Sequence, residues 1–211
     1  MSNRGAFITL EGIEGAGKST CLALVGQLLQ QAGRQFIETR EPGGTPLGES
    51  LRRLLLDHSS AGMSSDTELL LMFAARSEHL QQKILPAMEE GKWVLCDRFT
   101  DATYAYQGGG RGIPAARIQI LEEWVQKGVK PDLTLLLDLP PETGLARAGK
   151  RSAPDRFETE ALSFFQRVRQ AYLDLAWAEP ARIRIVDASR PLPEVQAQVS
   201  ALVREFISSW R

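Results

Sequence analysis

The sequence predicts an α/β fold of three layers, a five-stranded parallel sheet with helices on both faces. Two observations carry that prediction. Short apolar runs alternate with helical stretches from end to end, the pattern of parallel strands joined by right-handed crossovers. The residues with chemical character also follow the strands, where the carboxyl ends of such a sheet form a ligand crevice. The strand runs are 6–11, 35–39, 93–97, 132–138 and 182–187. Helices are expected near 18–32, 46–57, 65–90, 114–128, 158–178 and 191–209, with a shorter one near 141–149. No linker, repeat or low-complexity tract interrupts them, so 1–211 is read as one domain.

The first strand is Ala6-Phe7-Ile8-Thr9-Leu10, with the branching of a buried parallel strand. Directly after it, Gly12, Ile13, Glu14, Gly15, Ala16, Gly17, Lys18 and Ser19 fit the pattern G-x-x-x-x-G-K-[ST] of a phosphate-binding loop, which runs to Thr20. Leu22, Val25, Leu28 and Leu29 then recur at helical spacing, and Gly33 stops the helix. Strand, glycine-rich turn and helix stand in the required order. Glycines let successive N–H groups point inward at phosphate oxygens, and the helix adds its positive dipole end. Lys18 is expected on the β- and γ-phosphates of ATP and Ser19 on Mg²⁺.

Composition narrows the field. Of 211 residues, 43% are hydrophobic and 24% charged, ordinary values for a globular chain. A net charge of −1 argues against a dedicated nucleic-acid binder, and no apolar run is long enough to span a membrane. Cys21 and Cys96 fall in a helix and a strand without metal-ligand spacing, so they read as buried small hydrophobes of a cytoplasmic protein.

After the second strand, Arg40-Glu41-Pro42-Gly43-Gly44-Thr45-Pro46 fixes a tight turn. It reads either as a ligand-facing strand end or as a surface turn with a solvated ion pair. Helix 65–90 starts at Ser65 or Asp66 and aligns Leu69, Phe73, Arg76 and Leu80 on one face. An arginine in an apolar stripe needs an acceptor. Either Arg76 emerges at the rim, the reading that spacing favours, or it points with Phe73 into a cleft. The third strand ends in Asp97-Arg98-Phe99, placing a carboxylate near a metal and a guanidinium near a phosphate; a structural ion pair between them is the plainer reading. The following segment, 101–112, holds Thr103, Tyr104, Tyr106 and Gln107 before its glycines, and suits a base reader, a glycine-capped short helix, or both. Arg147, Lys150, Arg151 and Arg156 follow the fourth strand, interrupted by glycine and proline, as in a mobile lid over a transferring phosphoryl group.

Together these segments resemble the thymidylate kinases over nearly the whole chain. The likeness rests on the loop G-I-E-G-A-G-K-S-T, on T-R-E-P-G-G-T, on D-R-F after the third strand, and on Y-x-Y-Q-G-G-G-R-G. It implies the P-loop nucleoside monophosphate kinase fold, a homodimer, and transfer of the γ-phosphoryl group of ATP to dTMP with Mg²⁺, giving dTDP for dTTP synthesis. It implies that Phe73 stacks on thymine and Arg76 donates to its O4. Thr103, Tyr104 and Gln107 fall where the family reads the base, and Pro42 bounds the same cleft. Arg40 and Arg98 resemble the clamp on the acceptor phosphate, Asp97 the carboxylate near Mg²⁺, and Glu14 the acidic residue near the acceptor sugar. Some members carry an arginine directly after that acidic residue, where this chain has Gly15. The likeness is therefore to the bacterial subclass with lid-borne arginines: Lys18, Arg98, Arg151 and Arg156 as catalytic groups, Arg147 beside the adenine. A deoxynucleoside kinase of the same fold and an ATP-dependent switch are the alternatives. The first needs a base for a neutral hydroxyl, and the second does not need a second set of arginines.

Overall fold

The structure, a computed structural model, describes residues 4–149 and 155–210. Strands β1 (Phe7–Glu11), β2 (Phe36–Arg40), β3 (Trp93–Asp97), β4 (Leu133–Asp138) and β5 (Ile183–Asp187) form one parallel sheet in the order β2-β3-β1-β4-β5. β1 is central, with Ile8 in register with Leu95 on one side and Leu133 on the other. The order reverses at β1, so the crevice opens at its carboxyl end. That is where the phosphate-loop pattern begins.

Alternation along the strands divides the core between two faces. Ile8 and Leu10 of β1 and Trp93 and Leu95 of β3 pack on the face covered by α1 (Lys18–Gln31), α8 (Leu162–Ala178) and α9 (Leu192–Ser209). Phe7, Val94 and Cys96 point the other way, against Leu80, Ile84 and Met88. A strand buried on both faces is largely apolar, which is why these runs were legible, and the buried Thr9 and Thr134 of β1 and β4 pair with each other at 2.8 Å. Cys21 and Cys96 are free and buried, as expected. Among the described residues no helix is long and apolar enough to cross a membrane.

Two departures from the expected elements have local causes, and one segment takes the helical reading open to it. Helix 65–90 is α3 (Ser65–His79), a widened π turn at Leu80–Ile84, and α4 (Leu85–Glu89). Pro86 lacks an N–H and its ring crowds the carbonyl four residues back, which a wider turn relieves. Ser64 rather than Ser65 caps α3, its hydroxyl accepting the Thr67 N–H at 3.2 Å. Segment 100–110 is helical, a turn of α5 (Thr100–Thr103) followed by a π stretch, Tyr104–Gly110. Finally, α8 starts at Leu162 and not near 158, because the Asp155 carboxylate captures the Phe157 and Glu158 N–H groups at 2.8 and 3.0 Å in a turn. The remaining helices are α2 (Pro46–Leu56), α6 (Ala115–Gln126) and α7 (Pro141–Ala148).

Candidate active site

At the carboxyl ends of β1, β2 and β3 lies a cavity of about 530 Å³. Part of its lining is the phosphate loop. Gly12, Gly15 and Gly17 have φ of 132°, 72° and 91°, the region where glycine alone is comfortable, and Gly17 leads straight into α1. Among the described residues no side chain caps that helix, which leaves its first-turn N–H groups facing the crevice. Lys18 Nζ folds over the loop and donates to the carbonyls of Gly12 and Ile13, each at 2.9 Å. Burial, then the charge of Arg98, lowers the Lys18 ammonium to about 8 against the pull of Asp97, Glu14 and Glu11. A polyanionic ligand would reverse that balance.

The same cavity is cationic. Arg40, Arg52 and Arg98 line it, Arg98 directly beside the loop through Glu14. Arg40 is held by Glu49, with Nη2 to Oε2 at 2.9 Å. Arg52 donates to the Pro42 carbonyl at 2.9 Å, and burial, with Arg40 and Arg98 nearby, depresses its guanidinium. Arg98 donates to Glu14 Oε1 at 2.8 Å and lies over the Tyr106 ring, 4.7 Å from its centroid. Its backbone is left-handed, φ 69°, which costs a residue with a Cβ about 1 kcal/mol. Burial pushes the Glu14 carboxyl up, but Arg98, Lys18 and the Tyr106 hydroxyl outweigh it and hold it below the usual carboxylate range. Arg52 was not among the expected site residues, and nothing in the local sequence of α2 distinguishes it from a solvated helix arginine.

Arg76 lines the cavity as well. It is not at the rim: it is 2% exposed, with Nε on Glu41 Oε2 at 2.8 Å and Nη2 on the Phe99 carbonyl at 3.1 Å and Thr103 Oγ1 at 2.9 Å. Its Nη1 is buried without a partner among the described residues, as is Asp97 Oδ1. Orphaned buried polar atoms are rare, and both of these belong to residues that line the cavity. Ser19, Pro42, Thr103 and Gln107 line the same space, and the Glu41–Pro42 peptide bond is cis.

A sequence model described as thymidylate kinase matches residues 10–199. The chain belongs to the thymidylate kinase family. It is 58% identical to the thymidylate kinase of Alkalilimnicola ehrlichii over 208 residues, 98% of this chain and 96% of the relative. Against the thymidylate kinase of Bordetella petrii it is 58% identical over 201 residues, 95% and 96% of the two chains. Against that of Pseudomonas syringae pv. tomato it is 57% identical over 207 residues, 98% and 99%.

Three expected site residues of this thymidylate kinase family member sit elsewhere. Phe73 does not line the cavity; it is buried with Leu69, Ile113 and Ile118 between α3 and α6. One residue along a helix is a 100° rotation, and the preceding side chain, Met72, faces the cavity instead. Tyr104 turns away too, its hydroxyl on Glu122 at 2.5 Å, while Tyr106 reaches the cleft and donates to Glu14 at 2.7 and 2.8 Å. Arg156 is an anchor rather than a free lid cation. It is buried, donating to Glu68 Oε2 at 2.7 Å and to the Leu55 carbonyl at 2.8 Å. The same Glu68 accepts from Gln107 at 2.9 Å and pairs with Arg111. Its neighbours Asp155, Phe157 and Glu158, not picked out in the sequence, line the cavity. Arg147 donates to the Ala188 carbonyl at 2.9 Å, beside the end of β5. Arg151 lies outside the described residues.

Proposed function

We propose that this chain transfers the γ-phosphoryl group of ATP to dTMP, giving dTDP and ADP. The observation that carries the reading is a single cavity lined by both a phosphate loop and a cluster of arginines. A nucleotide switch needs only the loop. The unpaired Arg76 Nη1 supplies a donor for the O4 of thymine, with Met72 beneath the ring and Thr103 and Gln107 at its edge. Arg40, Arg52 and Arg98 receive the acceptor phosphate.

That phosphate is already ionised at neutral pH, so attack on the γ-phosphorus needs no strong base. The protein's contribution is alignment and charge neutralisation. Lys18 follows the β- and γ-phosphates, and the loop amides hold the oxygens. Arg98 offsets repulsion between donor and acceptor, with Glu14 fixing its guanidinium and facing the sugar. Arg151 completes the neutralisation from the lid, and Arg147 borders the adenine.

The residues fit Mg²⁺. Asp97 offers a buried unpaired oxygen, and Ser19 lines the same cavity. Among the described residues no three acidic, histidine or cysteine side chains form a cage. Mg²⁺ accepts such a site, since it keeps waters and takes its other ligands from phosphates. Bound there, it would neutralise charge on the β- and γ-oxygens. The same reading includes the cytoplasm and a homodimer, for which exposed Leu70 on α3 and Ile120 and Trp124 on α6 supply an apolar strip.

ADP formation from ATP and Mg²⁺, with dTMP, dUMP, dCMP, dGMP and thymidine as separate acceptors, tests the proposal. Strong preference for dTMP is expected. Turnover with thymidine alone would move the chain to nucleoside phosphorylation, and ATP binding without acceptor stimulation would make it a switch.

A further inference from the structure

Glu11 ends β1 fully buried, yet it belongs neither to the loop pattern nor to the cavity lining. Its Oε1 accepts the Phe99 N–H at 2.7 Å, and its Oε2 meets the Tyr172 hydroxyl at 2.8 Å. The Arg98 N–H donates to the Leu10 carbonyl at 3.0 Å. The last two residues of β1 therefore grip both N–H groups of the turn in which Arg98 is left-handed. On the far side, the Phe99 carbonyl is the acceptor for Arg76 Nη2. A non-glycine residue stays left-handed only where its surroundings over-determine it.

We infer that Glu11 is a positioning residue for the two acceptor-side arginines: it holds the Phe99 peptide so that Arg98 turns toward Glu14 and the cavity and the Phe99 carbonyl meets Arg76. The inference rests on the reading of those arginines as dTMP contacts. The charged and titratable groups around Glu11 are Asp101 of α5, Tyr172 of α8, Arg98 beyond β3 and Lys18 of α1. Burial, with Asp101 next, pushes the Glu11 carboxyl up to about 8, so near neutrality it is largely a neutral acid. Glutamine reproduces that form, with a carbonyl oxygen for Phe99 and an amide donor toward Tyr172. Alanine leaves the Phe99 N–H unpaired.

The test is a kinetic cycle of Glu11→Gln and Glu11→Ala, each made in the native chain and with Arg98→Ala. Glu11→Ala is expected to raise the KM for dTMP about 30-fold, because the freed Phe99 peptide lets Arg98 and Arg76 leave their acceptor-side positions and each loses a charge-assisted contact, with the ATP KM within about threefold. Glu11→Gln is expected within about threefold of the native enzyme, and with Arg98→Ala in place Glu11→Ala adds less than about threefold. An equal penalty in both backgrounds, equal losses for ATP and dTMP, or a glutamine variant as poor as alanine would overturn the inference. Should Glu11→Ala not fold, Glu11→Asp withdraws the carboxyl by one methylene. A native dTMP KM for that variant overturns the inference as well. The NMR signal of the Arg98 Nε–H reads positioning without substrate. It is expected to shift or broaden in the alanine or aspartate variant but not in the glutamine one, and no change in any of them overturns the proposal. Absence of dTMP turnover in the native enzyme counts against the functional reading alone.

Discussion

The carbonyl oxygen of Gly144 lies 1.9 Å from where a Cβ on Gly15 would be, so the phosphate loop and α7 touch backbone to backbone. The contact is mutual, since a Cβ on Gly144 would stand 2.6 Å from the Glu14 carbonyl. Here the loop has no room for a cation.

Gly15→Arg should therefore disable the loop instead of adding a catalytic group. The substitution combines an unfavourable φ of 72° with a backbone clash, and should cost about 2 kcal/mol or more of stability. Titration with ATP should show binding weakened at least about tenfold, the equivalent of 1.4 kcal/mol. Unimpaired ATP affinity with higher turnover would mean that the loop and α7 separate readily.

Met72 and Phe73 divide one helix between two tasks, and their alanine variants should separate them. Phe73→Ala empties a core position and should destabilise by about 3–5 kcal/mol in chemical denaturation. Met72→Ala removes a partly buried wall of the cavity, so it should raise the dTMP KM several-fold with the melting temperature changed far less. The reverse pattern would restore Phe73 as the base-stacking residue.

How much could be read in advance depended on whether the information was local. The sheet was legible because its three inner strands are largely apolar at successive positions and strand runs alternate with helical ones, and the phosphate loop because its pattern prescribes a backbone. Spacing put Phe73 in an apolar core stripe with Leu69, where it lies; its stacking role came from the family resemblance, and it is Met72, one position earlier on α3, that lines the cavity. Tyr104 and Tyr106 belong to one motif of the resemblance, which does not say which of them reaches the cleft. The π stretch Tyr104–Gly110 sets the phase between them. Arg156 looked free because its partner, Glu68, is 88 residues away in sequence. Composition near an arginine does not disclose a distant carboxylate.

The two tyrosines offer a direct check on that phase. Tyr106→Phe removes the hydroxyl that donates to Glu14 and loosens the Arg98–Glu14 pair, so kcat/KM for dTMP should fall about 5- to 30-fold. Tyr104→Phe removes a hydroxyl bound to Glu122, away from the cavity, and should leave kcat/KM within about twofold. Equal losses would place both hydroxyls at the site.

Stability should also depend on pH through Glu11. Its folded carboxyl is raised to about 8 from an ordinary 4.5, first by burial and then by Asp101. Between those values the folded state binds the extra proton, so this contribution is complete below 4.5 and is lost as pH rises through 8. Lys18 acts in the opposite sense but later: its ammonium is lowered to about 8 from 10.5, so the unfolded chain binds the extra proton between those values and stability is regained with rising pH there. Below pH 8 the Glu11 effect is therefore isolated. Glu11→Gln cannot ionise, and its stability relative to the native chain should rise by on the order of 3 kcal/mol between pH 5 and pH 8. Denaturant titrations of both proteins across that range supply the comparison. Parallel curves would mean that Glu11 stays ionised in the folded protein, with Tyr172 and the Phe99 N–H sufficient to hold the charge.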